Sequence, residues 1–257
     1  MPSKFRTLLD TILHRRDLAR WERMAAGVEG LNAEMLRALR FQGRQIRRQV
    51  DRVLHVAEGR LALPLIGSNA IQKPVNSDWS HRPEIWRGPL TPPGMAAVEN
   101  KARIGEEATI FHDCRVSELT VRQIRNSRES DLAPFGLRLD VFRFDGSFLS
   151  LAIDLPTDAA HSLRLKHLVR MAVVVDVEKP LELFARLNVK HGPNLEQIVR
   201  ELPLGQEDVA VEFDLAYTKL NEKRVEKMWV DLIFEGPEMN QIVLRDVTFS
   251  RRPRAEL

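Results

Sequence analysis

Residues 181–190 read LELFARLNVK and residues 227–235 read KMWVDLIFE, and both stretches alternate apolar and polar side chains. Alternation with a period of two is typical of a β-strand that buries one face and exposes the other. On the first stretch the apolar face runs from Leu181 to Val189, and on the second it includes Val230, Leu232 and Phe234. The sequence therefore predicts two half-buried strands, each with a polar outer face.

Similar alternation continues through residues 107–257. Ten candidate strands separated by short turns are predicted at residues 108–113, 118–125, 136–144, 147–155, 168–178, 181–190, 197–204, 208–218, 227–235 and 241–250. No helical pattern separates them, which excludes a parallel sheet built from βαβ units. The dipeptide Asp145–Gly146 predicts a tight hairpin between the third and fourth strands. The predicted fold class is mainly β with an α-helical N-terminal appendage, the β part being an antiparallel two-sheet β-sandwich of the jelly-roll type.

Two segments precede this predicted sandwich domain, residues 107–257. Residues 1–60 have helical periodicity and predict a basic helical appendage, in which Asn32 caps the second helix. Residues 61–106 are rich in proline and contain Trp79 and Trp86. Proline disfavours regular structure, and a free linker rarely carries tryptophan, so we expect a wrapping arm anchored by the two indoles.

The second predicted helix carries an apolar seam with heptad spacing. Its members are Leu36, Leu39, Gly43, Ile46, Val50, Val53 and Ala57. The spacing predicts a buried seam of the coiled-coil kind, packed on the first helix, on the main domain or on another copy of the chain.

The same region is basic. Residues 3–60 hold 13 Lys or Arg against 7 Asp or Glu. Arg44, Arg47 and Arg48 are candidates for binding an anionic membrane surface. A solvated helix face is the alternative. Nucleic acid is disfavoured as a partner because few aromatic residues lie among these arginines.

Several classes of function lack a sequence signal. Cys114 is the single cysteine, which excludes an internal disulfide and a zinc site built on several cysteines. Neither glycine-rich phosphate-binding motif occurs, and no His pair has metal-ligand spacing. No apolar run approaches the roughly 20 residues of a membrane span, and no signal peptide is recognised. We therefore expect a cytoplasmic protein without cofactor or metal.

Two short constellations suggest catalysis only weakly. Glu212, Asp214 and Tyr217 nearly match the E-x-D-x-x-E pattern of a jelly-roll glycosidase family, but a tyrosine stands where that family has its acid/base glutamate. A solvated acidic strand face explains the same residues. His112 and Cys114 would share a strand face, yet no third orienting group is visible. We predict no catalytic residues, and the sequence leans against an enzyme.

A ligand site is predicted on the polar faces of the two strongly alternating strands. Trp229 and Asp231 share one face of their strand, and Arg186 and Asn188 share the polar face of the other. An aromatic plane beside flat polar groups suits the apolar ring face and the hydroxyls of a sugar. The alternative is structural, with Trp229 partly buried under the arm and Arg186–Asp231 as an ion pair. Sequence alone does not show whether the two strands are neighbours.

Three stretches resemble carbohydrate-binding modules and galactose-binding-like jelly rolls. They are residues 181–192, WVDLIFEGP at 229–237 and IVLRDVTFSR at 242–251. Such domains often end on a strand with an acidic residue between apolar ones, which is Asp246 here. The resemblance covers about 150 residues and implies a β-sandwich with carbohydrate as a ligand. The whole chain also resembles an uncharacterised bacterial protein family, which implies no activity.

The leading hypothesis is a non-catalytic binding or assembly protein whose sandwich recognises a glycan. The first alternative is an adaptor that acts at a membrane surface, or by self-association, through the basic helices. The second alternative is a glycosidase-like enzyme.

Overall fold

The computed structural model describes residues 4–61, 70–205 and 208–254. The chain divides into two compact units, residues 1–53 and 54–257. The predicted boundaries at residues 60 and 106 stay predictions. Residues 62–69, which open the predicted arm, lie outside the described residues.

The first unit is helical. Helix α1 spans Lys4–Ala26 and helix α2 spans Ala33–Leu61. The Asn32 side chain caps α2 as predicted, because its Oδ1 accepts a hydrogen bond from the Met35 amide at 2.9 Å. The Trp21 ring of α1 lies against Gly43 of α2, where a Cβ atom would meet the indole at 3.7 Å.

The prediction of a buried seam on α2 is wrong at its start, where Leu36 is 38% exposed, and over its second half. Ile46, Val50 and Val53 are 47%, 47% and 67% exposed. Heptad spacing determines which side chains share a helix face, and it does not supply a partner to cover that face. The described helices of this unit leave the face open.

The second unit is built of thirteen strands in the described residues. They are β1 (Trp79–His81), β2 (Gly94–Met95), β3 (Ala102–Ile104), β4 (Ala108–His112), β5 (Leu119–Arg125), β6 (Phe135–Val141), β7 (Leu149–Asp154), β8 (His167–Val177), β9 (Glu182–His191), β10 (Asn194–Glu201), β11 (Asp208–Asp214), β12 (Val225–Glu235) and β13 (Asn240–Pro253). Two four-residue helices lie between them, α3 (Glu84–Arg87) and α4 (Thr157–Ala160). All ten predicted strands are present, and β1 to β3 are additional.

The strands form two antiparallel sheets. The six-stranded sheet has the order β10-β9-β12-β7-β4-β3. The seven-stranded sheet has the order β11-β8-β13-β6-β5-β2, and β1 also pairs with β13. Apolar residues of both sheets form one buried core. The predicted fold class, an antiparallel two-sheet sandwich with N-terminal helices, is therefore confirmed.

The predicted hairpin at Asp145–Gly146 is wrong, because β6 and β7 belong to different sheets. The loop between them is held by side chains from elsewhere. Asp113 accepts hydrogen bonds from the Ser147 hydroxyl and from the amides of Ser147 and Phe148. Turn chemistry alone allows a hairpin, but pairing decides the outcome: β6 pairs with β5 and β13, and β7 pairs with β4 and β12.

The predicted strand at 208–218 ends early, at Asp214. The Asp214 Oδ1 accepts a hydrogen bond from the Ala216 amide at 3.0 Å, and a short 3-10 turn begins there at Leu215–Tyr217. Tyr217 consequently leaves the apolar face on which alternation placed it and is 82% exposed. A local bond between side chain and backbone has overridden the strand pattern here.

The two indoles of the proline-rich segment are buried, as predicted. Trp86 is fully buried, and its Nε1 donates a hydrogen bond to the Leu244 carbonyl at 2.9 Å. This bond lies beside an irregularity in β13, where the pairing with β8 shifts between Leu244 and Asp246. Asn126 donates to the carbonyl of the extra residue, Arg245, at 2.8 Å. Side chains thus satisfy carbonyls at the bulge.

The Arg245 guanidinium binds the buried Asp131 carboxylate through Nε, at 3.0 Å, and through Nη2. Burial alone would raise the pKa of Asp131, but the hydrogen bonds from the Arg245 side chain and the Arg128 amide, together with the charges of both arginines, lower it. Asp131 therefore stabilises the fold at neutral pH, and this contribution is lost as the pH falls below about 4, through the lowered pKa.

We expect Arg245→Met to reduce the free energy of unfolding by about 3–5 kcal/mol, because it leaves a buried carboxylate without this cation. Urea denaturation at neutral pH measures the loss. Arg143 is exposed, and Arg143→Met is the control, expected to change stability by less than about 0.5 kcal/mol. Equal stabilities of the two variants would contradict a stabilising role for Asp131–Arg245. The acid-dependent part of the stability should also shrink in Arg245→Met.

Candidate functional site

The four predicted ligand residues lie together on the outer face of the six-stranded sheet. Strand β9 pairs with β12 so that Arg186 is opposite Asp231 and Asn188 is opposite Trp229. All four line one groove of about 690 Å³, which we call the outer cleft. Strands β4, β7, β9, β10 and β12 contribute its side chains.

Asp231 is the centre of a hydrogen-bonded network in the outer cleft. Its Oδ2 accepts hydrogen bonds from Arg186 Nε at 3.0 Å, from Arg186 Nη2 at 2.8 Å and from Asn188 Nδ2 at 2.9 Å. The Asn188 Oδ1 in turn accepts from Gln197 Nε2 at 2.8 Å. The ion pair that the structural alternative predicted is therefore present, and it lies within the same groove as Trp229.

The side chains of the network differ in how far they are buried from solvent. The Asp231 side chain is 9% exposed, whereas the Arg186 side chain is 38% exposed. Asn188 is buried and Gln197 is exposed. A carboxylate at this depth needs its donors, because an unpaired buried charge is costly. Asp231 thus holds Arg186 and Asn188 in one geometry while part of the guanidinium remains open to solvent.

Trp229 gives the outer cleft a flat apolar surface. Its side chain is half-buried. The Lys227 Nζ lies 5.6 Å from the centre of the indole ring and 2.8 Å from Asp154 Oδ1. The exposed lysine thus covers part of the ring with a solvent-accessible side chain.

The cleft is a groove because small side chains lie between larger ones. Register places Ala152 of β7 directly opposite Asp231, and Thr109 of β4 lies beyond Ala152. Phe111 and Phe148 stand at the side formed by β4 and β7. We infer from this register that the small residues form a floor between the Trp229 side and the phenylalanine side.

Sequence reasoning missed Phe111, Phe148 and Gln197. Phe111 occupies an outward position of β4, between the buried Ile110 and His112, and this alternation was visible in the sequence. Gln197 is aligned with Asn188 through the β9–β10 hairpin, whose turn contains Gly192 at a φ of +58°. Phe148 lies in the loop just before β7, and the predicted strand at 147–155 already placed it on the same face as Ser150 and Ala152.

The glycosidase-like pattern lies on the other sheet and is engaged in ion pairs. Glu212 accepts hydrogen bonds from Arg252 at 3.1 and 3.2 Å. Asp214 lies 3.3 Å from Arg254, and Tyr217 has left the strand. The two carboxylates are thus arranged as a charged surface, which was the structural alternative.

His112 and Cys114 do not form a nucleophile and base. The His112 Nε2 lies 2.8 Å from the Val98 carbonyl, and its Nδ1 accepts a hydrogen bond from the Cys114 amide at 3.2 Å. Burial raises the pKa of the Cys114 thiol, which favours the unreactive protonated form. In the described part of the chain, no group of three or more His, Cys, Asp or Glu residues could hold a metal.

The predicted surface-binding arginines lie on α2. Arg44, Arg47 and Arg48 are all exposed, and Arg47 Nε lies 3.5 Å from Asp51 Oδ2 one turn away. Across residues 4–61, 70–205 and 208–254, no helix combines the length and the apolar character needed to cross a membrane.

The half-buried state of Trp229 predicts that its removal costs little stability. Trp229→Ala should lower the free energy of unfolding by roughly 1–2 kcal/mol. The matched control is Trp86→Ala, which should cost about 3–5 kcal/mol because Trp86 is fully buried. Thermal melts of both variants make the comparison. A loss in Trp229→Ala as large as in Trp86→Ala would show that Trp229 is a structural anchor.

Comparisons with solved structures give low similarity. The CBM22-1 xylan-binding domain from Paenibacillus barcinonensis is 10% identical with a TM-score of 0.38, and the match covers 72% of this chain and 100% of that chain. The family 11 carbohydrate-binding module from Clostridium thermocellum is 9% identical with a TM-score of 0.35, covering 64% of this chain and 97% of that chain.

The enzymatically active domain of tailspike protein 4 from bacteriophage CBA120 is 7% identical with a TM-score of 0.41, and the match covers 56% of this chain. The chain spans only 19% of that tailspike chain, and 29% and 24% of a xylanase and an agarase chain that it also matches. Similarity at this level carries no conclusion about ligand or activity.

Comparison with the curated proteins finds no match. A family model, by contrast, matches residues 1–257, and its description is a family of unknown function, DUF6478. The resemblance of the whole sequence to an uncharacterised family is thereby confirmed: the chain belongs to the DUF6478 family.

Proposed function

We propose that the outer cleft binds a carbohydrate and does not cleave it. The observation that carries this proposal is the position of the Trp229 indole beside the Asp231 network in one open groove. The carbohydrate-binding modules reported above bear names that suggest the same ligand class, but the argument rests on the chemistry of the cleft.

The cleft combines the two kinds of contact that a sugar ring requires. The indole of Trp229 presents a flat apolar surface that suits the C–H face of a pyranose. Arg186 offers donors, Asp231 offers acceptors, and Asn188 and Gln197 offer both, so hydroxyl groups in either role can be satisfied. Neither kind of contact alone would distinguish a sugar from a lipid or from a simple anion.

The polar groups are fixed in place before a ligand arrives. Asp231 is held by three hydrogen bonds and Asn188 is held from both sides by Asp231 and Gln197. Binding therefore orders few additional side chains, which lowers its entropic cost. This pre-organisation supports a binding role for the rigid outer face of the sheet.

The state of the carboxylates supports binding without catalysis. Asp231 and Asp154 are the acidic residues among those that line the cleft. Asp231 accepts hydrogen bonds from Arg186, and Asp154 lies 2.8 Å from Lys227. Cleavage of a glycosidic bond usually needs one carboxyl group that donates a proton to the leaving oxygen, whereas both carboxylates here act as acceptors for cations.

A glycan array probed with the full chain tests the proposal. We expect binding to a set of oligosaccharides, and Trp229→Ala should weaken it by roughly tenfold or more because aromatic stacking is lost. Trp229→Phe keeps an aromatic plane and should retain most of the affinity. Tyr217→Ala is the matched control, since Tyr217 is an exposed aromatic residue in the 3-10 turn that follows β11 of the other sheet.

Two results would count against carbohydrate binding. The first is an array on which the full chain binds nothing. The second is binding that Tyr217→Ala weakens as strongly as Trp229→Ala, which would place the contact outside the cleft. Incubation of the same oligosaccharides with the protein, followed by chromatography, tests catalysis. Release of shorter products would overturn the non-catalytic part of the proposal.

A further inference from the structure

The second half of helix α2 exposes an apolar stripe that the carbohydrate proposal does not use. Ile46, Val50 and Val53 recur at helical spacing on one face and are all exposed. Three aliphatic side chains in one stripe are unusual on a surface helix unless a partner covers them.

The first half of the seam is differently placed. Trp21 of α1 lies against Gly43, and Leu39 is half-buried. Leu39, Met24 and Leu31 line a shared groove between the helical segments of this unit. Leu36 at the start of the seam is exposed as well, but the exposed members that follow one another without a covered residue are those at 46–53.

Charge around the stripe is predominantly positive. Residues 44–53 contain Arg44, Arg47, Arg48 and Arg52, with Asp51 as the only acidic residue. Arg47 flanks the stripe, and its neighbours spread over the opposite side of the helix. An apolar stripe on a basic helix is complementary to a surface that is anionic outside and apolar just beneath, as a layer of anionic lipid is.

We propose that residues 44–53 of α2 bind the surface of an anionic lipid bilayer. The aliphatic stripe inserts to the level of the lipid headgroups, Arg47 beside it contacts the lipid phosphates, and the arginines on the opposite side add long-range attraction to the anionic surface. The helix lies on the membrane and does not cross it. Each arginine contributes through Coulomb attraction, so binding depends strongly on salt.

A second copy of the chain fits the same stripe less well. Stable coiled coils need three to four heptads, and the open part of the seam covers little more than one. Trp21 already occupies the position beside Gly43 that a partner helix would need. Charge gives little attraction between copies, because Asp51 is the only acidic residue of the segment and already lies 3.5 Å from Arg47 of the same helix. Self-association is accordingly an outcome of the test and not the proposal.

Vesicle co-sedimentation of the full chain tests this surface. The vesicles contain equal parts of phosphatidylglycerol and phosphatidylcholine, and vesicles of phosphatidylcholine alone serve as the uncharged reference. We expect binding to the anionic vesicles at low salt, little binding to the neutral ones, and a steep loss as the Debye length falls from about 30 Å at 0.01 M to about 8 Å at 0.15 M salt.

Two variants separate charge from apolar contact. Replacement of Arg44, Arg47 and Arg48 by Glu should weaken binding about a hundredfold or more. The matched control replaces three exposed basic residues of the other unit, Arg115, Arg143 and Lys219, by Glu. This control changes the net charge by the same amount as the α2 variant, and it should bind the anionic vesicles more tightly than that variant does. Val50→Asp keeps the arginines and should also weaken binding, and circular dichroism checks that each variant folds.

Three outcomes overturn the proposal. The first is no binding to anionic vesicles at low salt. The second is equal weakening by the α2 variant and its matched control. The third is sedimentation showing a dimer that Val50→Asp converts to a monomer, which would assign the stripe to self-association. None of these measurements depends on the outer cleft, so the two proposals fail independently.

Discussion

The antiparallel register of β9 and β12 is the constraint on which both the core and the candidate site depend. In this register Leu187 and Val230 point into the core while Asp231 and Arg186 meet on the outer face. A shift of one residue in either strand would bury the charged side chains and expose the aliphatic ones. The packing of the inner side chains in the core therefore also holds the polar groups of the outer cleft in place, because both sets of side chains are attached to the same two strands.

Within that register, one buried carboxylate organises the outer surface. Asp231 accepts from two side chains on the neighbouring strand, and the network continues through Asn188 to Gln197 on β10. Three adjacent strands are thus connected by side chains above the sheet as well as by backbone hydrogen bonds within it. The wide, small-residue side of the groove toward Ala152 lies next to this network, and the contrast in side-chain size produces the concave shape.

Much of this architecture could be predicted from alternation, and the limits of the prediction have a common cause. Periodicity identifies which residues of a strand share a face, so Trp229, Asp231, Arg186 and Asn188 were recognised as outward and polar. It does not identify the neighbouring strand, so their convergence became visible only in the sheet order. The turn at Asp145–Gly146 failed as a hairpin signal for the same reason. Local chemistry bends the chain there, but long-range packing decides which sheet the next strand joins.

Phe111 of the outer cleft and the α2 seam also show that periodicity identifies a face but not what lies next to that face. Phe111 was one alternate residue among many in a predicted strand, and only the neighbouring strands make it part of a groove. On α2, heptad spacing correctly placed Ile46 and Val50 on one face, but burial depends on what covers that face, which lies beyond local sequence. The end of β11 at Asp214 depends on a single hydrogen bond between side chain and backbone. This local bond competes with alternation, and the sequence does not show which of the two prevails.

Strand order in the seven-stranded sheet has a consequence for how the protein is made. Strand β13 follows every other described strand in the chain, yet it lies between β8 and β6 in the middle of the sheet. While a ribosome is still synthesising residues 240–253, the β5–β6 pair and the β8–β11 pair can each form but have no strand to join them. Both pairs then present unpaired strand edges, the kind of surface that favours aggregation. The seven-stranded sheet can close only after nearly all of its residues have emerged, so these edges stay unpaired until β13 is complete.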